Sequence, residues 1–435
     1  MVGPCNATCR WLSGALTVAG IGALVSLDAE DNATIGDVTR LLPAVAGLTM
    51  TLVDRDMEGL KQWSLVGASS LFTTWGLKHV TDKERPNAHN LRSFPSGHAT
   101  AGFFGAGFIY RRYGPRWGVP AYVVAAYTGG TRVVAERHYV DDVISSFSLG
   151  LMSNWLFTTP ISERVAINPM LADDRVGFTV SVATTGASGE HGNGLEARRR
   201  TRYRYQWEFG PTSVTENTVT FGRGGDPVDF RFDQQNDPLY TAQIALDWYP
   251  GNRQQDVLFN FTPFEIRDFG SFDGDTDFAG VTFPPGQDLR SRAVAYYLTA
   301  TYRRRLLPAG RFDLRVGGGV AVLYTLTGLA PVQRRESIGD LDFVEVDDLA
   351  LLPIIHLHLG YDFGRRMRWS LFVEGEGMDL SADRYLDATA QIRFRITPLW
   401  DVSLGYRHLE RSVDTDSLRS TTTRDQYVAA IGYRF

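Results

Sequence analysis

From about Thr159 to Arg175 onward, the apolar residues of this 435-residue chain stop recurring at helical spacing and fall at every second position. Between Tyr385 and Ile396, Leu386, Ala388, Ala390, Ile392, Phe394 and Ile396 occupy one set of positions, and Asp387, Thr389, Gln391, Arg393 and Arg395 the other. The next run repeats this, with Trp400, Val402, Leu404 and Tyr406 against Asp401, Ser403, Gly405 and Arg407. Side chains of a strand alternate faces, so each run has one greasy and one polar face. Strands are read near 200–209, 239–249, 256–266, 292–303, 312–327, 351–363, 369–380, 385–396, 400–410 and 426–435. Most of their connections alternate between long polar segments (210–238, 267–291, 328–350, 411–425) and short ones (Pro250–Gln255, Leu307–Arg311, Gly364–Arg368, Thr397–Leu399). The link near Ser381 is the exception. Long loops on one side and short turns on the other are the habit of outer-membrane barrels, whose greasy face meets lipid. A soluble sandwich would bury that face against a second sheet and come off without detergent.

An even strand count returns both ends of the barrel to one side, where an N-terminal domain has to hang. The last strand places Tyr427, Ala429, Ile431, Tyr433 and Phe435 on one face and ends on Phe. That ending resembles the signal read by barrel-assembly machinery. Val176–Ala183 also alternates; it is either a further strand, which would force a twelfth elsewhere, or a β stalk between domains. The expectation is ten. Arg204, Glu208, Arg315, His356, His358, Glu374, Glu376, Arg393 and Arg395 all fall on the lumen face. Opposite charges there would pair and plug a narrow barrel. A metal or catalytic role would need a third ligand beside His356 and His358.

The first half reads as helices. Apolar blocks at Leu41–Val53, Trp63–Leu77, Ala99–Tyr110, Val119–Val134 and Val143–Phe157 are separated by segments such as DRDMEG and RRYGPRWG. None reaches the roughly 20 apolar residues of a membrane span, so the reading is a water-soluble bundle touching a membrane surface. Trp11–Leu27 carries no charge over seventeen residues, a length suited to the core of an export signal within residues 1–29, or to an uncleaved anchor. Both cysteines, Cys5 and Cys9, precede it, so cleavage would leave no thiol for a disulfide or a zinc site. A net charge of −5 with 21% charged residues gives no reason to expect nucleic acid as a partner.

Chemistry concentrates between Lys78 and Asp142. Lys78 and Arg85, then Pro95-Ser96-Gly97-His98, then Arg132, His138 and Asp142 form three islands in apolar sequence. A phosphate needs several fixed donors; Arg supplies a planar fork and Lys a point charge, so Lys78, Arg85 and Arg132 make a cage. Ser96 and Gly97 precede an apolar run and read as an N-cap and first turn, whose free backbone N–H groups favour an anion. His138 and Asp142, four apart, share a helix face; the carboxylate can hold one imidazole nitrogen and leave the other to attack. His98 remains to protonate the leaving group and then deprotonate water. Taken alone, the Arg132–Asp142 spacing could be a salt-bridged helix face and the PSGH turn a plain helix start. His79 and His89 lie off the pattern and read as surface or supporting residues.

The order K-x6-RP, PSGH, R-x5-H-x3-D resembles the tripartite signature of the type-2 phosphatidic acid phosphatase superfamily, which includes the bacterial class A acid phosphatases. It is carried by Lys78, Arg85, Pro86, Pro95, Ser96, Gly97, His98, Arg132, His138 and Asp142 and spans about residues 35–165; Thr131 stands where the family usually has Ser and keeps the hydroxyl. The resemblance implies an all-α bundle. It also implies hydrolysis of a phosphomonoester or pyrophosphate without a metal or other cofactor, through a phosphohistidine on His138.

The combined expectation is a multidomain α-then-β chain. A signal peptide (1–29), a helical phosphatase domain (30–165), a linker with a possible extra strand (166–199) and an antiparallel transmembrane β-barrel (200–435) follow in order. The substrate expected is a lipid phosphate or pyrophosphate, because a barrel would set the site beside outer-membrane lipids with the phosphatase domain in the periplasm. The rival is an outer-membrane pore or structural barrel with an accessory helical domain.

Overall fold

The computed structural model describes residues 29–160, 164–172, 175–183, 202–221, 228–230, 239–250, 254–308, 310–332, 341–380, 383–414 and 418–435. The expected signal peptide lies, but for its last residue, outside these. The chain folds as two compact units, one ending at Glu190 and the other running from His191 to Phe435.

Among the described residues, six helices form in the first unit: α1 (Ala29–Thr39), α2 (Leu42–Val53), α3 (Met57–Thr81), α4 (Gly97–Tyr113), α5 (Pro115–Val134) and α6 (Val140–Phe157). Five answer to the five apolar blocks. α1 was not expected, because AEDNATIGDVT has no apolar block. The centre is α4, buried from Ala99 to Ile109. It is rich in small residues because its neighbours press close: a Cβ on Gly105 would sit 2.3 Å from the Ala44 nitrogen of α2. The small residues leave little volume to fill, and Phe103, Phe104 and Phe108 supply the burial instead. Among the described residues, no helix is long and apolar enough to cross a membrane. The helices end at Phe157, and a separate hairpin, β1 (Arg164–Ala172) with β2 (Arg175–Ala183), follows. Val176–Ala183 is therefore not a barrel strand.

In the second unit β3 (Tyr203–Phe221), β5 (Leu239–Trp248), β6 (Gln255–Gly270), β9 (Leu289–Arg305), β10 (Phe312–Pro331), β11 (Val344–Phe363), β12 (Trp369–Leu380), β13 (Asp383–Arg395), β14 (Trp400–Asp414) and β15 (Leu418–Arg434) form one antiparallel sheet. It closes through β15 on β3, from Leu418↔Phe221 to Arg434↔Arg204. Those are the ten strands expected. Shorter pieces, β4 (Val228–Asp229), β7 (Thr276–Phe278) and β8 (Val281–Phe283), lie in its connections.

The expected loops need correcting. Much of 411–425 is ladder, with Asp414 opposite Arg419, and β3 and β11 likewise run into 210–238 and 328–350. Beyond an apolar band neither strand face is greasy, so alternation disappears while backbone pairing continues. Within the band the outward side chains are apolar and exposed: Leu349, Leu351, Ile355, Leu357 and Leu359 on β11, Leu371 and Val373 on β12, Leu404 on β14. At the end where β3 begins and β15 stops, aromatic pairs circle the barrel: Phe312–Tyr361 (4.9 Å), Trp369–Phe394 (4.6 Å), Trp400–Tyr433 (4.5 Å) and Tyr203–Phe435 (5.4 Å).

The lumen is layered. Near the aromatic end a charged layer surrounds a cavity of about 460 Å³. Arg204 reaches Asp401 (2.7 Å), Arg315 reaches Asp256 (2.7 Å) and Asp313 (3.0 Å), His356 meets Glu376 (3.3 Å) and His358 meets Glu374 (2.9 Å). Arg393 lies 3.5 Å from Asp401, Glu208 3.6 Å from Arg407, and Arg395 donates to the Met367 carbonyl at 3.0 Å. Further along, Phe264, Ile266, Tyr297, Leu323, Leu352, Ile354, Tyr385 and Leu409 form an apolar plug.

Candidate active site

Three chain segments build the site. The last turn of α3 delivers Lys78, whose ammonium donates to the carbonyls of Arg92 (2.7 Å) and Ser93 (3.2 Å). α3 ends at Asp82, in the left-handed region (φ 41°), and the chain turns into a loop that runs to α4. In it the Arg85 Nε donates to Asn90 Oδ1 at 3.0 Å, while the Asn87 amide donates to the Glu136 carbonyl at 3.1 Å. That bond ties this loop to the α5–α6 corner. Ser96 caps α4, its Oγ accepting from the Ala99 amide at 3.5 Å, and Gly97 starts the helix. A Cβ on Gly97 would lie 3.9 Å from Lys78 Cε, so the first and second motifs are in contact.

The last turn of α5 carries Thr131 and Arg132. Thr131 Oγ1 donates to the Thr128 carbonyl (2.8 Å), and the amides of Arg137 and His138 both donate to the Arg132 carbonyl, at 2.9 and 3.1 Å. This tight return places His138 directly before α6. The expected pair forms differently from the sequence reading: His138 is not on a helix. Asp142, in the first turn of α6, accepts from the Tyr139 amide at 2.9 Å as a helix cap and from His138 Nδ1 at 3.4 Å. Capping, rather than a shared helix face, brings carboxylate and imidazole together.

Asp142 is wholly buried. Burial alone would push it up, but Lys83, His138 and Ser93 hold it well below the usual carboxylate range, so it is an anion. Burial pushes His138 down to about 4; Asp142 opposes this, and Lys78 and Arg85 add to it. The imidazole is therefore neutral at neutral pH and lies within the fields of both cations. Lys78 falls to about 8, through burial and the nearby Arg85 and Arg92 against the pull of Asp142. Arg132 is buried, and its Nη1 lies 3.2 Å from Asp37 Oδ1, which also contacts His98 Nε2 at 2.7 Å. His98 stays partly open to solvent. His79 is exposed and bonded to the Trp75 carbonyl at 2.7 Å.

Several contributors escaped the sequence reading. Lys83 is buried and donates to both oxygens of Asp141 (2.8 and 2.7 Å) and to Asp142 (3.2 Å), with the Tyr139 ring 4.6 Å away. Ser93 Oγ donates to Asp142 Oδ2 at 2.5 Å. The signal was present in the paired Asp141-Asp142 and in a second cation two residues before Arg85, but nothing in a one-dimensional string says which of two adjacent charges points inward. Asp37, on the unexpected α1, and Arg40, just past its end, had no signal. Among the described residues, no cluster of three or more His, Cys, Asp or Glu side chains could hold a metal ion.

Residues 69–165 match the family described as the PAP2 superfamily. The chain is also 32% identical over 152 residues to the lipid A 4'-phosphatase of Helicobacter pylori, covering 32% of this chain and 76% of that protein. The chain belongs to the PAP2 superfamily. This phosphatase is in addition 33% identical over 169 residues to the lipid A 1-phosphatase of Porphyromonas gingivalis, across 36% of this chain and 38% of that one. Among solved structures, Aquifex aeolicus LpxE aligns at 19% identity with a TM-score of 0.28, over 36% of this chain and 98% of its own. The outer membrane protease OmpT of Escherichia coli aligns at 11% with a TM-score of 0.36, over 54% and 97%.

Proposed function

We propose that this PAP2 enzyme removes phosphate from a lipid, through a phosphohistidine on His138, while its barrel holds it in the outer membrane with the helical domain in the periplasm. The observation that carries the chemistry is the buried imidazole of His138, held on its Nδ1 side by the Asp142 carboxylate at 3.4 Å, with burial, Lys78 and Arg85 all lowering its proton affinity. Its Nε2 attacks phosphorus as the ester P–O bond breaks, and His98 gives the leaving alkoxide a proton. Water then attacks phosphorus, passes its proton to His98, and the P–N bond breaks to release inorganic phosphate. Lys78, Arg85, Arg132 and the first turn of α4 from Gly97 balance the charge that gathers on the phosphoryl oxygens, while the Ser96 amide is taken by the Asp142 carbonyl at 3.3 Å.

Two features favour a lipid. The relatives are named for lipid A, and Phe72, Trp75 and Val80, around the turn that carries Lys78, are 71%, 58% and 69% exposed. Lipid A phosphates, phosphatidic acid, phosphatidylglycerol phosphate and polyprenyl pyrophosphates all fit this chemistry. The greasy barrel exterior and its aromatic row favour the outer membrane. The row sits at the end where the barrel receives the chain from the helical unit, the end facing the periplasm in such barrels.

The test is phosphate release by the detergent-purified chain across these lipids and soluble phosphoesters, beside His138→Ala and Arg132→Ala. The first should abolish release with its circular dichroism unchanged, and the second should cost on the order of 10²-fold or more. Turnover by His138→Ala at the parent rate would refute the mechanism. Preference for a soluble ester would refute the lipid reading.

A further inference from the structure

The geometry points to Asp37 of α1, outside all three motifs, as the positioning residue that fixes the ring of His98 and decides which nitrogen carries the transferable proton. The inference rests on the proposed acid role of His98. Asp37 Oδ1 lies 2.7 Å from His98 Nε2 and 3.2 Å from Arg132 Nη1, so one carboxylate oxygen joins the second motif to the third. α1 is built to bring it there. Gly36 leaves no room for a side chain, since a Cβ would fall 2.2 Å from both Arg132 Nη2 and Thr131 Oγ1. Thr39 and Thr128 hydroxyls, 2.8 Å apart, pin the helix to α5.

An imidazole nitrogen cannot donate and accept at once. Arg40 Nη1 is 2.8 Å from the same Nε2 and can only donate, which favours a lone pair there; Asp37 can only accept, which favours an N–H. Once the imidazolium forms, both nitrogens carry protons and Asp37 prevails. Nε2–H is then bonded to the carboxylate, and the Nδ1 proton is the one that passes to the leaving oxygen. His138 uses its nitrogens the other way round, with Nδ1 held by Asp142. The charged groups bearing on His98 are Arg132 of α5, Asp37 of α1 and Arg40 just past the end of α1. Burial and the two arginines lower its proton affinity, to about 4, and Asp37 raises it.

Asp37→Asn keeps the shape and removes the charge. The comparison is between a short-chain phosphatidic acid, whose alkoxide needs a proton to leave, and 4-nitrophenyl phosphate, whose phenoxide does not. With the full chain in detergent, kcat on the lipid should fall roughly 30-fold or more with KM little changed, while kcat on the aryl ester falls less than about threefold. Loss of Asp37 lowers the proton affinity of His98, so the alkaline limb of kcat for the lipid should move to lower pH. Asp37→Glu should recover part of the loss. Equal losses on the two substrates, or faster turnover because a carboxylate competing with phosphate has gone, would overturn the assignment. His98→Ala separates the two layers of argument. If it shows no dependence on leaving group, the acid role falls and Asp37 with it; if only Asp37→Asn lacks that dependence, the assignment of Asp37 alone falls.

Discussion

The two units use the same residue types to opposite ends. In the barrel lumen each of the arginines described above faces an acceptor: Arg204 meets Asp247 and Asp401, Arg315 meets Asp256 and Asp313, Arg407 meets Glu208. In the helical unit the cations outnumber the carboxylates they face. Among the described residues, Lys78 and Arg85 bond only to carbonyl oxygens, from the backbone or an Asn side chain, and their charge falls on His138 instead. A network whose charges cancel internally has nothing to offer an anion. One left with surplus cations around a neutral imidazole is completed only when a phosphate enters. Desolvating charges is costly unless they are paired, so the first arrangement suits a plug and the second a binding site.

The sharpest way to break this contrast is at Lys83, a buried cation of the helical unit that is paired with carboxylates. Lys83→Met leaves Asp141 and Asp142 buried without their ammonium, which should destabilise the unit by about 3–5 kcal/mol, read from denaturant midpoints. Protonating Asp142 is the cheapest relief, so turnover should also fall by orders of magnitude. Adding Asp141→Asn should recover much of the stability and little of the activity. A single variant with unaltered stability would mean that Lys83 is no structural counter-ion.

A smaller effect tests the surplus charge itself. Lys78, near 8, is charged at neutral pH and loses its proton as pH rises through that value, so kcat/KM for 4-nitrophenyl phosphate, whose leaving group needs no proton from His98, should decline above about pH 8. His138 is neutral above about 4 and adds no limb near neutrality. Lys78→Arg keeps a cation at every working pH, so it should remove the decline even if it lowers the maximum. A decline that persists in that variant would belong to another group.

The fold was legible where side-chain chemistry repeats. Strand number and position could be read because lipid contact forces alternation, as from Leu349 to Leu359. Strand length could not, because the ladder in 411–425 is held by backbone bonds that any residue makes. The three motifs were legible because phosphate chemistry needs particular groups, and the loop and capping bonds that gather them follow from short local spacings. Lys83 was hidden by its own neighbours, Glu84 and Arg85. Asp37 was hidden because its partners lie 61 and 95 positions along the chain, and no local pattern encodes such a pairing.

The smallest effect is expected from disturbing the barrel network. Asp256 accepts from Arg303 (2.6 Å) and Arg315 (2.7 Å) and is wholly buried, so Asp256→Asn should lower the temperature at which the barrel unfolds in detergent. Turnover should change by less than about twofold, since no residue of that network belongs to the phosphate cage. Conductance across a planar bilayer should stay closed in parent and variant alike, because Phe264, Tyr297, Leu323, Leu352 and Tyr385 fill the lumen beyond the charged layer and a ten-stranded barrel is narrow. A large steady conductance in the parent would make the barrel the working part and the helical unit its accessory. A selective loss of turnover in the Asp256 variant would show that the two charge networks communicate, and that their opposite balance is one device rather than two.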